Sequence, residues 1–160
     1  MTIAPLTSST LLLGTAWTGT APGTGTTPSG TINSGSGTYI DITSYTQESG
    51  ADFSVNVVEG TTHGSGGYQV NYAGLKSGSL TLSVIADYAS GANMEKLWAM
   101  FGQTVYFDQK ATSSSRGSSN PSAVGAVIVN SLKWVSVKVG ELDILQLTWP
   151  TTGAYAVLTS

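Results

Sequence analysis

Apolar and polar residues alternate in several phased runs along this chain, and in one place only does the period lengthen to that of a helix. Leu80, Leu82, Val84, Ala86 and Tyr88 hold one phase, which predicts a half-buried strand. Tyr68, Val70 and Tyr72 alternate with Gln69, Asn71 and Ala73 and predict the strand before it. The glycines of Ala73 to Gly78 (AGLKSG) predict the reversal between these two. After Ser90 and Gly91 the spacing changes. Met94, Leu97, Trp98 and Phe101 stand at i, i+3, i+4 and i+7, an apolar helical stripe that assigns Trp98 to the core. Asn93 or Ser90 is the expected N-cap, and Gly102 the left-handed residue after the last turn.

Further strands are expected at Thr38 to Tyr45, at Phe53, Val55 and Val57, and at Val105 and Phe107. Others are expected at Val124 to Ile128, Leu132 to Val139 and Glu141 to Trp149, and a short one at Tyr155 to Leu158. The apolar phase of Glu141 to Trp149 shifts near Leu145, as at a β-bulge, and Pro150 ends the run. The expected fold class is therefore all-β with one helix packed on a β-sandwich or barrel. No internal repeat of fixed period is present.

Two stretches break the pattern. Residues 14–37 (GTAWTGTAPGTGTTPSGTINSGSG) are low in complexity, with Trp17 and Ile32 as the sizeable apolar anchors. They read as a flexible, partly ordered loop, or as an arm that orders against a neighbouring subunit through Trp17. Residues 111–122 (ATSSSRGSSNPS) form a second such loop, with Arg116 as its charge. Residues 1–13 read as an arm or a short edge strand. The organisation expected is an N-terminal arm with its loop over 1–37 and a single β-sandwich domain over 38–160.

Composition narrows the function classes. Charged residues make up 9% of the 160, against roughly 25% in an ordinary soluble domain. Gly, Ser and Thr take their place, and such a surface suits burial by neighbouring subunits. A net charge of −3 with six scattered basic residues argues against a nucleic-acid binder. The absence of cysteine excludes a disulfide framework and thiolate chemistry. The first residues, MTIAPLTSSTLLLG, lack a basic region and a long apolar run, so no secretory signal is expected, nor any membrane insertion.

Candidate chemistry is sparse. His63, the single histidine, lies in a glycine-rich turn, where it reads as an exposed loop residue rather than the base of a serine triad. Glu141 and Asp143 share a strand face by spacing and could chelate calcium, though such a pair reads more simply as a solvated face. Gly64 to Gly67 imitates a phosphate loop but lacks the following Lys-Ser/Thr and helix. Trp17, Trp98, Trp134 and Trp149 would form a sugar-stacking platform if exposed together; burial in the core or at an interface is the plainer reading. No catalytic, cofactor-binding or metal-ligating residue emerges, and a non-enzyme without cofactor is expected.

Several motifs, taken in order, resemble the major tail proteins (tail tube proteins) of long-tailed bacteriophages. They are Tyr39 to Tyr45 (YIDITSY), Thr61 to Gly66 (TTHGSG), Ala73 to Leu80 (AGLKSGSL), Asp87-Tyr88, the helix Met94 to Phe101 and the strand after it. The resemblance spans roughly residues 38 to 150. It implies a β-sandwich subunit that assembles as stacked, hexameric rings, with inner strands joined into one barrel around a lumen. Implied partners are further copies of the chain, the tape-measure protein and phage DNA in the lumen, and tail terminator and tail-tip proteins. The implied location is the virion tail, after assembly in the host cytoplasm. Residues 14–37, 59–67 and 111–122 are the candidate ring-to-ring contacts. The rival readings are another virion part (a terminator, head–tail joining or capsid decoration protein) and a carbohydrate-binding β-sandwich.

Overall fold

The computed structural model describes residues 9–135 and 139–160. Among the described residues ten strands and one α-helix follow in the order β1 (Thr10–Gly14), β2 (Trp17–Thr18), β3 (Thr31–Ile32), β4 (Tyr39–Asp41), β5 (Thr46–Glu59), β6 (Asn71–Ile85), α1 (Asn93–Met100), β7 (Thr104–Lys110), β8 (Ser122–Ile128), β9 (Ile144–Pro150) and β10 (Ala156–Leu158). The fold is all-β with one helix. A five-stranded sheet runs β10-β8-β7-β1-β4, a three-stranded sheet β5-β6-β9, and β2 pairs with β3 alone. Neither large sheet closes into a barrel. Their inner faces share one core, with Leu11, Leu13 and Phe107 from the first and Leu82, Leu147 and Trp149 from the second. Helix α1 adds Met94, Leu97 and Met100 to that core.

The alternating pattern is realised most cleanly in β9. Leu145, Leu147 and Trp149 are buried and Ile144, Gln146 and Thr148 exposed, in unbroken register with β6 from Ser79↔Pro150 to Ile85↔Ile144. The expected bulge near Leu145 is therefore absent, because Glu141 to Asp143 precede the strand and the whole strand keeps one phase. Register shifts occur instead in the β5–β6 pairing, with an extra residue in β5 between Thr46 and Glu48 and one in β6 between Ala73 and Lys76, opposite Val55 to Val57.

The largest correction concerns the reversal. Ala73 to Gly78 does not turn; β6 continues through it, paired with β5 and carrying one extra residue between Ala73 and Lys76. The chain reverses over 60–70, where the Gly60 amide bonds to the Val70 carbonyl and a 3₁₀ turn spans His63–Ser65. Tyr68 and Val70 belong to that connection, and the strand begins at Asn71. Gly78 serves close approach instead: a Cβ there would stand 2.6 Å from the Asp52 carbonyl oxygen and 2.9 Å from the Phe53 ring.

Other expectations shift by smaller amounts. The segment read as an arm or edge strand supplies β1, an interior strand between β4 and β7. Thr38 to Tyr45 gives a short β4 and then a 3₁₀ turn over Thr43–Tyr45. Leu132 to Val135 form no strand, and 136–138 of that expected strand lie outside the described residues. In α1 the buried positions are Asn93, Met94, Leu97 and Met100, so the core stripe is turned away from Trp98 and Phe101, which face solvent. Ala92 holds the N-cap position. Asn93 instead bridges the end of β6 to the helix, accepting from the Asp87 amide at 2.9 Å and donating to the Ile85 carbonyl at 2.7 Å. Gly102 follows the helix with φ of +79°, as its sequence position suggested.

Candidate interaction surfaces

The two longest strands outrun their sheet. Between Ser79 and Ile85, β6 is flanked by β5 on one side and β9 on the other. Pro150 ends β9 opposite Ser79, while β5 and β6 continue as a two-stranded arm from Phe53↔Gly78 to Glu59↔Asn71. At about 3.3 Å per residue the paired part of the arm extends some 23 Å beyond the body, before the connecting loop. Its base is held firmly. The Tyr155 ring stacks on Phe53 at 4.1 Å and 11°, its hydroxyl donates to the Ser77 carbonyl at 3.2 Å, and the Thr151 amide donates to the Gly78 carbonyl at 2.9 Å.

Beyond that clamp the arm is apolar on both faces. Val57 and Val58 are successive and so point to opposite sides, yet both are exposed, as are Val55, Tyr68, Tyr72 and Leu75. Leu75 is 84% exposed. Two-stranded ribbons with uncovered apolar faces are marginal in water by themselves. Among the described residues, β5 also pairs on one side only, leaving the other edge of a 14-residue strand free. Free edges template pairing with another chain.

A second exposed cluster lies at the other end of β6. Trp98 and Phe101 stack with centroids 5.4 Å apart, Trp134 meets Trp98 edge-on at 5.5 Å, and Tyr88 meets Trp134 at 5.6 Å. Trp98 is 55% and Trp134 53% exposed, so the structure brings together two of the four tryptophans. Trp149 is fully buried, its indole donating to the Ser131 carbonyl at 2.8 Å. The Tyr88 hydroxyl donates to Asp143 at 2.5 Å and accepts from the Val135 amide at 3.2 Å. Desolvation, and then the bond to the Asp143 carboxylate, raise the Tyr88 phenol above its ordinary value near 10.0.

The two low-complexity segments are tied to the body of their own chain. Arg116 reaches out of the second loop to the buried Asp108 of β7 at 2.7 Å and donates to the Gly30 carbonyl at 2.8 Å. The Ser122 hydroxyl bonds the other Asp108 oxygen. Trp17 packs on Tyr106 at 5.6 Å and donates to the Ser29 carbonyl at 2.9 Å, which fastens 14–37 across the sheet. Pro22, Pro28 and Ile32 are buried and anchor the segment, most of whose other residues are exposed.

The remaining sequence candidates fall apart. His63 opens the 3₁₀ turn at the arm's exposed tip, and Gly64 to Gly67 complete the same connection without a helix behind them. Glu141 and Asp143 lie before β9, not on a strand face; Glu141 is exposed, whereas Asp143 is buried on Tyr88. No group of three metal-ligating side chains occurs among the described residues. No described helix is long and apolar enough to cross a membrane. Sequence reading missed Leu75 and Val58 as surface apolar residues. The usable signal was apolar residues in both phases of a stretch beside a glycine-rich, charge-poor connection. No protein-family model matches the chain, and comparison with curated proteins finds no significant relative.

Proposed function

We propose that this protein is a structural subunit that polymerises with copies of itself, as the tail tube protein of a long-tailed bacteriophage does. The observation that carries the reading is the β5–β6 arm, which leaves the body with apolar side chains uncovered on both faces. An arm of this kind is stabilised when a neighbouring copy covers it, and the free edge of β5 offers main-chain pairing to another copy. A contact between unlike patches builds a ring where its rotation closes and a filament where it does not.

Residues 59–67, one of three segments considered for contacts between rings, form the arm's tip, whereas 14–37 and 111–122 are engaged with their own body. In this reading stacked, hexameric rings enclose a lumen for DNA. A chain with net charge −3 and few cations lets DNA slide without holding it. The other partners are those of a tail: tape-measure, terminator and tip proteins.

Negative-stain electron microscopy with light scattering over a concentration series tests this. Rings or hollow tubes of uniform width are the expected result, and a variant whose arm is cut back to a tight turn at Ser54 and Ser77 stays monomeric. A wild-type chain that is monomeric at every concentration overturns the reading. The exposed Trp98 and Trp134 would then favour the carbohydrate-binding alternative, read by quenching of their fluorescence on adding glycans.

A further inference from the structure

We infer that the aromatic cluster of Tyr88, Trp98, Phe101 and Trp134 is the docking surface for the β5–β6 arm of a second copy, joining copies head to tail. The inference rests on the self-assembly reading and names the partner surface within it.

Position supplies the first argument. The arm's tip lies past Asn71 and the cluster past Ile85, at opposite ends of the 15-residue β6. At about 3.3 Å per residue these ends are roughly 45 Å apart. A rigid strand cannot fold its own tip back onto its own far end, but a copy displaced along the strand direction presents its cluster to that tip. The clamp of Tyr155 on Phe53, Ser54 and Ser77 holds the arm in line with the body and keeps this geometry.

Size and charge supply the second. Four aromatic side chains of about 150–250 Å² each, roughly half uncovered, leave a few hundred Å² of apolar surface. That is the size of the largest apolar patch on a typical monomer, a patch that is often functional. It is about the apolar centre that an interface of roughly 800 Å² per partner requires. The arm carries matching apolar surface on one face at Val58, Tyr72 and Leu75. Its acid Glu59 and base Lys76 cancel, so no net charge opposes docking.

The test uses two surface variants of the full chain, Leu75→Asp on the arm and Trp98→Glu on the cluster. Each alone raises the concentration needed for assembly at least about tenfold, the equivalent of 1.4 kcal/mol per contact. Mixed, they form one kind of junction, since the Trp98→Glu copy still has its arm and the Leu75→Asp copy its cluster. Growth then stops at a species of fixed mass. Trp98→Glu assembling at the wild-type concentration overturns the inference and leaves the self-assembly reading standing. Wild type that never assembles overturns both.

A cross-link guards against a variant that fails to fold. The chain has no cysteine, so Gln69→Cys and Lys133→Cys copies, mixed and oxidised in the assembled state, carry the only thiols. A disulfide between the two kinds of copy is expected. Its absence from the assembled fraction counts against docking at this cluster.

Discussion

β6 is a single strand with two fates. From Leu80 to Val84 it alternates against the sheet's interior, with Leu80, Leu82 and Val84 fully buried between β5, β9 and the opposing sheet. From Asn71 to Gly78 it carries Tyr72 and Leu75 in the same extended conformation, with β5 as its only partner strand among the described residues. The outer half holds the weaker strand formers, Asn71, Gly74, Lys76 and Gly78, yet both halves are extended and both carry large apolar side chains. The difference is made by β9, which ends at Pro150, and by the core, which ends with it. An apolar phase specifies a face to be covered; whether the covering group lies in the same chain depends on which elements reach that far.

The sharpest way to break this comparison is to remove a large side chain from each half. Trp149→Ala, beside the buried half, is expected to cost about 3–5 kcal/mol in urea unfolding of the unassembled chain, through lost burial and the cavity left behind. Leu75→Ala, in the arm, is expected to stay within about 0.5 kcal/mol of wild type in the same experiment, as exposed positions do. A comparable loss for Leu75→Ala would mean that the arm is covered within its own chain.

Next in size is the Arg116–Asp108 pair, which fastens the second loop to the body. Arg116→Ala strands the buried Asp108 carboxylate and is expected to cost about 3 kcal/mol. For a chain of this length that lowers the thermal midpoint by about 6–12 °C. Replacing both partners, Arg116→Met with Asp108→Leu, is expected to recover most of the loss, since no charge is then left buried unpaired.

The clamp at the arm's base gives a smaller and more local effect. Tyr155→Leu removes the stack on Phe53, worth about 1 kcal/mol. It is expected to speed amide exchange from Val55 to Ser77 while β9 and β7 keep their protection. Equal acceleration in the body would show that arm and body open as one unit.

The smallest effect concerns pH. The Tyr88 phenol is raised in the folded chain by burial and by Asp143, so the folded state keeps a proton that the unfolded state releases above about 10. The stabilisation is complete below that pH and is lost as pH climbs through the folded value. Tyr88→Phe is expected to flatten the fall in thermal midpoint across this alkaline range, and an unchanged slope would assign the fall to other groups.

Sequence alone determined the all-β class with one helix, the β8 and β10 segments, and the glycine after α1. These depend on local periodicity and backbone freedom, which a short window contains. Tertiary structure decided the rest. Gly78 reads as a turn residue, since a glycine that permits reversal and one that permits close approach look alike until Asp52 and Phe53 are in place. Two turns of helix fit either of two adjoining stripes, and the sheets chose the one holding Met100 over the one holding Trp98. That choice left Trp98 on the surface, and Trp134, outside any strand, came to meet it. The exposed arm and the exposed cluster are thus products of where neighbouring elements stop, a property of the folded chain that no run of residues encodes by itself.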